Sequence, residues 1–224
     1  RLSIEEHKPW FKIRAFQTHK CVTYNQCLPV NIGVKKCSGD IIILNHSDVV
    51  PCRVDTLKHI WERQQKGGVL LFPRFIIDLR HFKEHGGPLI NGLSMPKRMF
   101  MAIRGFDEKF YGSPSEDIDL INRLRKKFGE GRFVTDREIL YFHLYPIAVV
   151  LVRMRQAPWK QGLRISRKSF DESSLRKYNN ALVNINARRD PDSVNPNGWG
   201  ELDTLEEIEL WQGLGKSGGR KGQT

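Results

Sequence analysis

Two stretches of this chain carry side chains that could do chemistry together. In the first, the apolar run Asp40-Ile41-Ile42-Ile43-Leu44 leads straight into Asn45-His46-Ser47-Asp48, with Pro51 close behind. Imidazole and carboxylate both bind divalent metals, and a bound Mg²⁺ or Mn²⁺ can in turn hold a diphosphate. The same turn reads equally well as a polar cap on the next segment. In the second stretch, Gly105-Phe106-Asp107-Glu108-Lys109-Phe110 is followed by Ser113-Pro114-Ser115-Glu116-Asp117-Ile118-Asp119-Leu120. Glu116 is accounted for by a capping box, whereas Asp117 and Asp119 exceed what capping requires. A carboxylate at a helix start beside a cleft suits a general base that deprotonates a hydroxyl. His143, at the end of another apolar segment, is either a further metal ligand or a structural histidine.

These groups depend on elements that bring them to one place. Asp40 to Leu44 reads as a buried strand of the parallel type, because it is continuously apolar and β-branched. Ligands collect at the carboxyl ends of such strands, so Leu44 would deliver His46 and Asp48 to the rim. Ahead of it, Asn31 to Cys37 reads as a short helix. Asp55 to Lys66 reads as a helix capped by Asp55, with Leu57, Ile60 and Trp61 inward and Gly67-Gly68 as its stop. Val69 to Leu79 is strand-like with Pro73 interrupting it, His81 to Gly92 is loop-rich, and Met95 to Ala102 is a short helix. Ser113-Pro114-Ser115-Glu116 fits a capping box, after which Ile118, Ile121, Leu124 and Phe128 recur at helical spacing up to Gly129. Arg132 to Phe142 returns to strand. Further on, Leu175 to Asn186 reads as a helix, Asn195-Pro196-Asn197-Gly198 as a turn, and Leu205 to Trp211 as a short acidic helix. Trp10 to Phe16 is the one strand expected near the amino end.

The bulk properties bound the function. A chain of 224 residues is long enough for one sizeable core, and its 39% hydrophobic content excludes general disorder. Its longest apolar run, Pro146 to Val152, is far short of the roughly 20 residues a membrane span needs. The net charge of +12 favours polyanionic partners. From Leu151 to Phe170 there are six basic residues and no acid, a solvated face or a membrane or acceptor contact. Cys21, Cys27, Cys37 and Cys52 form no CxxC pair and are expected as free thiols in a reducing cytoplasm.

The order of strand, His-Ser-Asp and Pro, then RGFDEKFYG and EDIDLINRL, resembles family 2 glycosyltransferases of the GT-A fold. The resemblance spans Asn31 to Pro146 and is most specific between Gly105 and Arg123. It implies an α/β fold, a GT-A-like open mixed sheet flanked by helices, and transfer of a hexosyl or deoxyhexosyl group from a nucleotide-diphosphate donor to an acceptor hydroxyl with inversion. It implies a metal site at His46, Asp48 and His143 for Mn²⁺ or Mg²⁺, with His46 replacing the family's first Asp. Asp117 takes the position of the base, with Glu116 beside it, and Gly105, Phe106, Asp107 and Glu108 form the acceptor side. Asn31, Lys35 and Ser47 are the candidate diphosphate contacts. The family's nucleotide-binding half, about 60 residues as two βαβ units, should lie ahead of Asn31, where this chain has thirty residues beginning at Arg1. An amino-terminally shortened domain is therefore expected.

The expected organisation is a catalytic domain over residues 1–150, a basic, helical extension over 151–212 and a flexible tail over 213–224. Expected partners are a nucleotide sugar and a glycan or lipid-linked acceptor in polysaccharide biosynthesis, without nucleic acid. The setting would be cytoplasmic, with peripheral membrane contact through the basic residues. Two other classes are open: a GT-A-like scaffold without turnover, and a basic nucleic-acid-binding module. No RRM, KH, helix-turn-helix or zinc-finger pattern supports the latter.

Overall fold

The computed structural model describes residues 15–18, 26–45, 49–77, 82–84, 92–110, 115–139, 141–143, 172–200 and 205–208. The chain divides into two units, residues 24–201 and a smaller one formed by residues 1–23 and 202–224. In the smaller unit, β1 (Ala15–Thr18) pairs antiparallel with β10 (Leu205–Ile208), matching Ala15 to Ile208 and Thr18 to Leu205. The acidic segment expected as a helix from Leu205 is thus a strand there. Its Leu205-Glu206-Glu207-Ile208 pattern supports either state locally, and pairing with β1 decides it.

The larger unit is a mixed α/β assembly. One sheet has the order β2-β7-β4-β8, from Ile41–Asn45, Gly92–Pro96, Val69–Leu71 and Phe133–Thr135. A second sheet has the order β3-β9-β5-β6, from Val49–Pro51, Tyr141–His143, Arg74–Ile77 and Phe82–Glu84. The helices are α1 (Cys27–Lys36), α2 (Thr56–Gln64), α3 (Lys97–Ala102), α4 (Glu116–Phe128) and α5 (Glu172–Arg188).

The first sheet buries both faces, and the alternation of strand side chains sorts its residues between two cores. Val69 and Leu71 of β4 join Ile42, Leu93 and Met95 in a large core with residues of α1, α3 and α4. Leu70, between them, joins Ile60 of α2, Phe72, Ile139 and Tyr141 on the other side. There Phe72 and Tyr141 stack with ring centroids 5.3 Å apart.

The pairing of β2 differs from expectation: it runs antiparallel to β7, Ile41 opposite Pro96 and Asn45 opposite Gly92. Because β7 is also antiparallel to β4, and β4 is parallel to β8, the strands β2, β4 and β8 all point the same way. Their carboxyl ends share one rim, which Asn45 reaches. Helix α2 also turns differently than its apolar residues suggest. Ile60 is buried, but Leu57 and Trp61 are exposed, and Thr56 and Gln64 pack inward instead. Asp55 makes no capping bond and holds Arg53 in a two-pronged pair at 2.8 and 2.7 Å.

Helix α4 begins at Glu116, two residues later in phase than the capping box requires. Ser115 sits at φ 101° and makes no capping bond; its hydroxyl lies 2.8 Å from Asn180 Oδ1 of α5. Ile121, Leu124 and Leu120 are buried as a helical stripe, and Gly129 ends the helix at φ 83°.

Gly105 makes the close approach on which the 105–108 turn depends. At φ +66°, a side chain there would lie 2.7 Å from the Trp199 ring and 2.9 Å from Phe100, and would also strike the Asn31 amide. Gly105→Ala is expected to cost at least about 2 kcal/mol, from overpacking and left-handed strain together. A urea unfolding midpoint equal to wild type would show that the turn relaxes freely.

Candidate functional site

A cleft of about 690 Å³ opens between α1, β2 and the start of α4. Its apolar wall comes from Cys27, Val30 and Val34 of α1 and from β2. Its polar groups are Gln26, Asn45, Glu116 and Asp117. The end of the strand that leads into His46-Ser47-Asp48 and the first two residues of the acidic helix therefore line one cavity. Residues 46–48 themselves lie outside the described residues, as does the side chain of His143. The backbone register is described, however: Val49 of β3 pairs with His143 of β9. This puts the His143 position beside the residue that follows Asp48.

Glu116 is a strongly perturbed acid in the cleft. Its residue is only 5% exposed, and burial, with Asp117 adding negative charge, pushes its carboxyl up from 4.5 to about 7. Gln26 Nε2 donates to its Oε1. The other oxygen, Oε2, is buried without a hydrogen-bond partner. The capping-box expectation had consigned this carboxylate to the backbone of its own helix. Because α4 starts at Glu116 itself, the carboxylate meets Gln26 at the start of α1 and lines the cleft. Asp117 is half-buried and accepts from the Ile118 amide at 2.8 Å.

The other predicted residues have structural partners. Asn31 is fully buried: its Nδ2 donates to Phe106 O at 2.9 Å and Glu108 Oε1 at 2.8 Å, and its Oδ1 accepts from Phe106 N at 2.9 Å. Both of its Nδ2 hydrogens are thus engaged inside the fold. Lys35 donates to Trp199 O at 2.7 Å and lies 5.2 Å from the indole centroid, so its ammonium holds the chain near residue 199. Glu108 also accepts from Gly200 N at 2.7 Å. Asp107 accepts from Asn186 Nδ2 at 2.9 Å and from Lys109 N at 3.0 Å. Of the 105–108 turn, Phe106 alone lines the cleft. Ser47 lies outside the described residues, as does the basic run from Leu151 to Phe170.

Sequence reasoning missed what holds this turn. Asn195, at φ 51°, donates to Arg104 O and Phe106 O and accepts from Glu108 N, over distances of 3.1, 2.7 and 2.9 Å. Arg123, 1% exposed, pairs with Asp119 at 2.7 Å and donates to Ile103 O at 2.9 Å and Gly105 O at 2.8 Å. Asn186 bridges Asp107 and Asp119. Only the Asn195-Pro196-Asn197-Gly198 turn was visible beforehand, and its Gly198 N to Asn195 O bond is present. Among the described residues, no helix is long and apolar enough to cross a membrane. Among the described residues Cys27, Cys37 and Cys52 form no disulfide, and burial raises the Cys27 thiol above its ordinary range.

No family model and no curated protein sequence matches this chain. Among solved structures, the chain is similar to a mutant of Drosophila β1,4-galactosyltransferase 7, determined with manganese, UDP-galactose and xylobiose. The identity is 17% and the TM-score 0.44, with 70% of this chain and 62% of that one covered. The chain thus spans less than two thirds of that structure's length.

Proposed function

We propose that this chain transfers a glycosyl group from a nucleoside-diphosphate sugar to an acceptor hydroxyl, with inversion at the anomeric carbon. The observation that carries the reading is the cleft in which the end of β2, leading to His46-Ser47-Asp48, lies with Glu116 and Asp117 at the start of α4. Asp117 takes the hydroxyl proton as the acceptor oxygen bonds to the anomeric carbon. The bond from that carbon to the diphosphate breaks, and the nucleoside diphosphate leaves. Glu116 Oε2, buried and without a partner, is the group that receives the acceptor hydroxyl in the cleft. Phe106 supplies an apolar surface beside it. His46, Asp48 and His143 would hold Mn²⁺ or Mg²⁺, which would supply positive charge to stabilise a departing diphosphate. The Val49–His143 register supports that grouping.

Gly33 provides a test that leaves folding intact. It lines the cleft from an exposed position within α1, and a Cβ added there meets nothing within 4 Å. Gly33→Phe should fill the cleft without strain, and replacing a helical glycine is otherwise favourable. Wild-type protein warmed with Mn²⁺ and UDP-, GDP- or dTDP-sugars is expected to gain about 5–10 °C with one nucleotide class at a hundredfold excess over Kd. Both Gly33→Phe and Asp48→Ala should abolish the shift. A shift undiminished in Gly33→Phe would place the donor elsewhere. Donor binding without product in a transfer assay would make the chain a scaffold rather than an enzyme.

A further inference from the structure

A second group of ligand-type side chains lies at the opposite edge of the β2-β7-β4-β8 sheet, about 14 Å away across three strand spacings. Asp136 directly follows β8 on the shared carboxyl rim, and Glu138 lies two residues on, in the turn closed by Ile139 N to Asp136 O at 3.3 Å. Helix α2 presents His59 to both. Its Nε2 is 3.6 Å from Asp136 Oδ2 and 3.1 Å from Glu138 Oε2. The three ligand atoms all lie within 4.8 Å of one another. Donors around a tetrahedral ion with 2.0 Å bonds stand about 3.3 Å apart, so this triangle needs only small adjustment.

Two of the three atoms lack what a purely structural cluster would give them. His59 Nε2 and Asp136 Oδ2 are buried and make no aligned hydrogen bond, and the Asp136 side chain is 5% exposed. Arg63, one turn along α2, lies 2.9 Å from Asp136 Oδ2 and 3.1 Å from Glu138 Oε2 and supplies the positive charge. Its side chain is 39% exposed and can swing into water. Its departure would leave one imidazole and two carboxylates facing one point, a donor set suited to a divalent transition metal.

We propose that His59, Asp136 and Glu138 bind a divalent transition-metal ion that enters by displacing Arg63. The site is separate from the cleft and independent of the transferase reading. A metal here would tie α2 to the turn after β8.

The test is calorimetric titration with Zn²⁺ in an Asp48→Ala background, which removes an expected cleft ligand. One ion per chain should bind. Glu138→Gln and His59→Ala should each weaken binding at least about tenfold, while Arg63→Gln should tighten it by about tenfold. Glu138 is largely exposed, so loss of binding in Glu138→Gln is not ascribable to unfolding. Binding unchanged in Glu138→Gln and His59→Ala, or not tightened by Arg63→Gln, would overturn the proposal and leave an ion-pair cluster.

Discussion

Asp117→Asn should lower the transfer rate by about 10²–10⁴-fold while leaving donor affinity within a few-fold of wild type, the range expected for losing a general base. Glu116→Gln should behave differently. In the wild-type protein the Glu116 carboxyl titrates at about 7, and its ionisation adds a negative charge that makes Asp117 a stronger base. Transfer should therefore rise as pH passes through 7, and Glu116→Gln should flatten that rise while retaining turnover. An inactive Glu116→Gln beside an active Asp117→Asn would move the base to Glu116.

The same titration has an opposite signature in stability. Glu116 holds its proton more tightly folded than unfolded, so the stabilisation is full below about pH 4.5. It is lost as pH rises to about 7, by on the order of 2–3 kcal/mol. Glu116→Gln should remove this slope from a series of denaturation midpoints. Ionising the cleft for catalysis and keeping the fold at its most stable thus pull toward different pH values.

The second large effect is expected at Arg123. Its guanidinium is buried against Asp119 and two carbonyls. Arg123→Met fills similar volume but strips Asp119 of its counter-charge, leaving that carboxylate only the Asn186 amide, and strips both carbonyls of their donor. A loss of about 3–5 kcal/mol is expected, which is a large part of the 5–15 kcal/mol typical of a domain. Adding Asp119→Leu should restore part of the loss, because the stranded charge is then gone. Chemical denaturation of both variants would measure this. A single variant within 1 kcal/mol of wild type would mean that water reaches Asp119.

Much of the frame was legible because it depends on local pattern. The apolar run at Asp40, the break at Pro73, the stop at Gly129 and the stripe of Ile121 and Leu124 each carry their own signal. What failed depended on partners distant in sequence. The direction of β2 is set by β7, whose Gly92-Leu93-Ser94-Met95-Pro96 lacks β-branched residues and was partly read as helix. The start of α4 was misplaced because Ser115 takes a positive φ and bonds to Asn180, 65 residues away. The partners of Asp107 and Glu108 were equally invisible, because Asn186 and Asn195 arrive from 79 and 87 residues downstream. For the candidate site, the pairing of strand end and acidic helix was readable, but the burial of Glu116 was not.

The bond from Lys35 to Trp199 spans 164 residues, and that span has a consequence during synthesis. At 5–20 residues per second, about 10–30 s separate the emergence of α1 from that of Trp199. Throughout that interval Lys35 and the apolar side of α1 wait for a segment still to be translated. The nascent chain must therefore pass through a long-lived state with α1 incompletely covered. Any holding factor that recognises exposed apolar helices would have its opportunity then, before residues 195–200 fasten the turn.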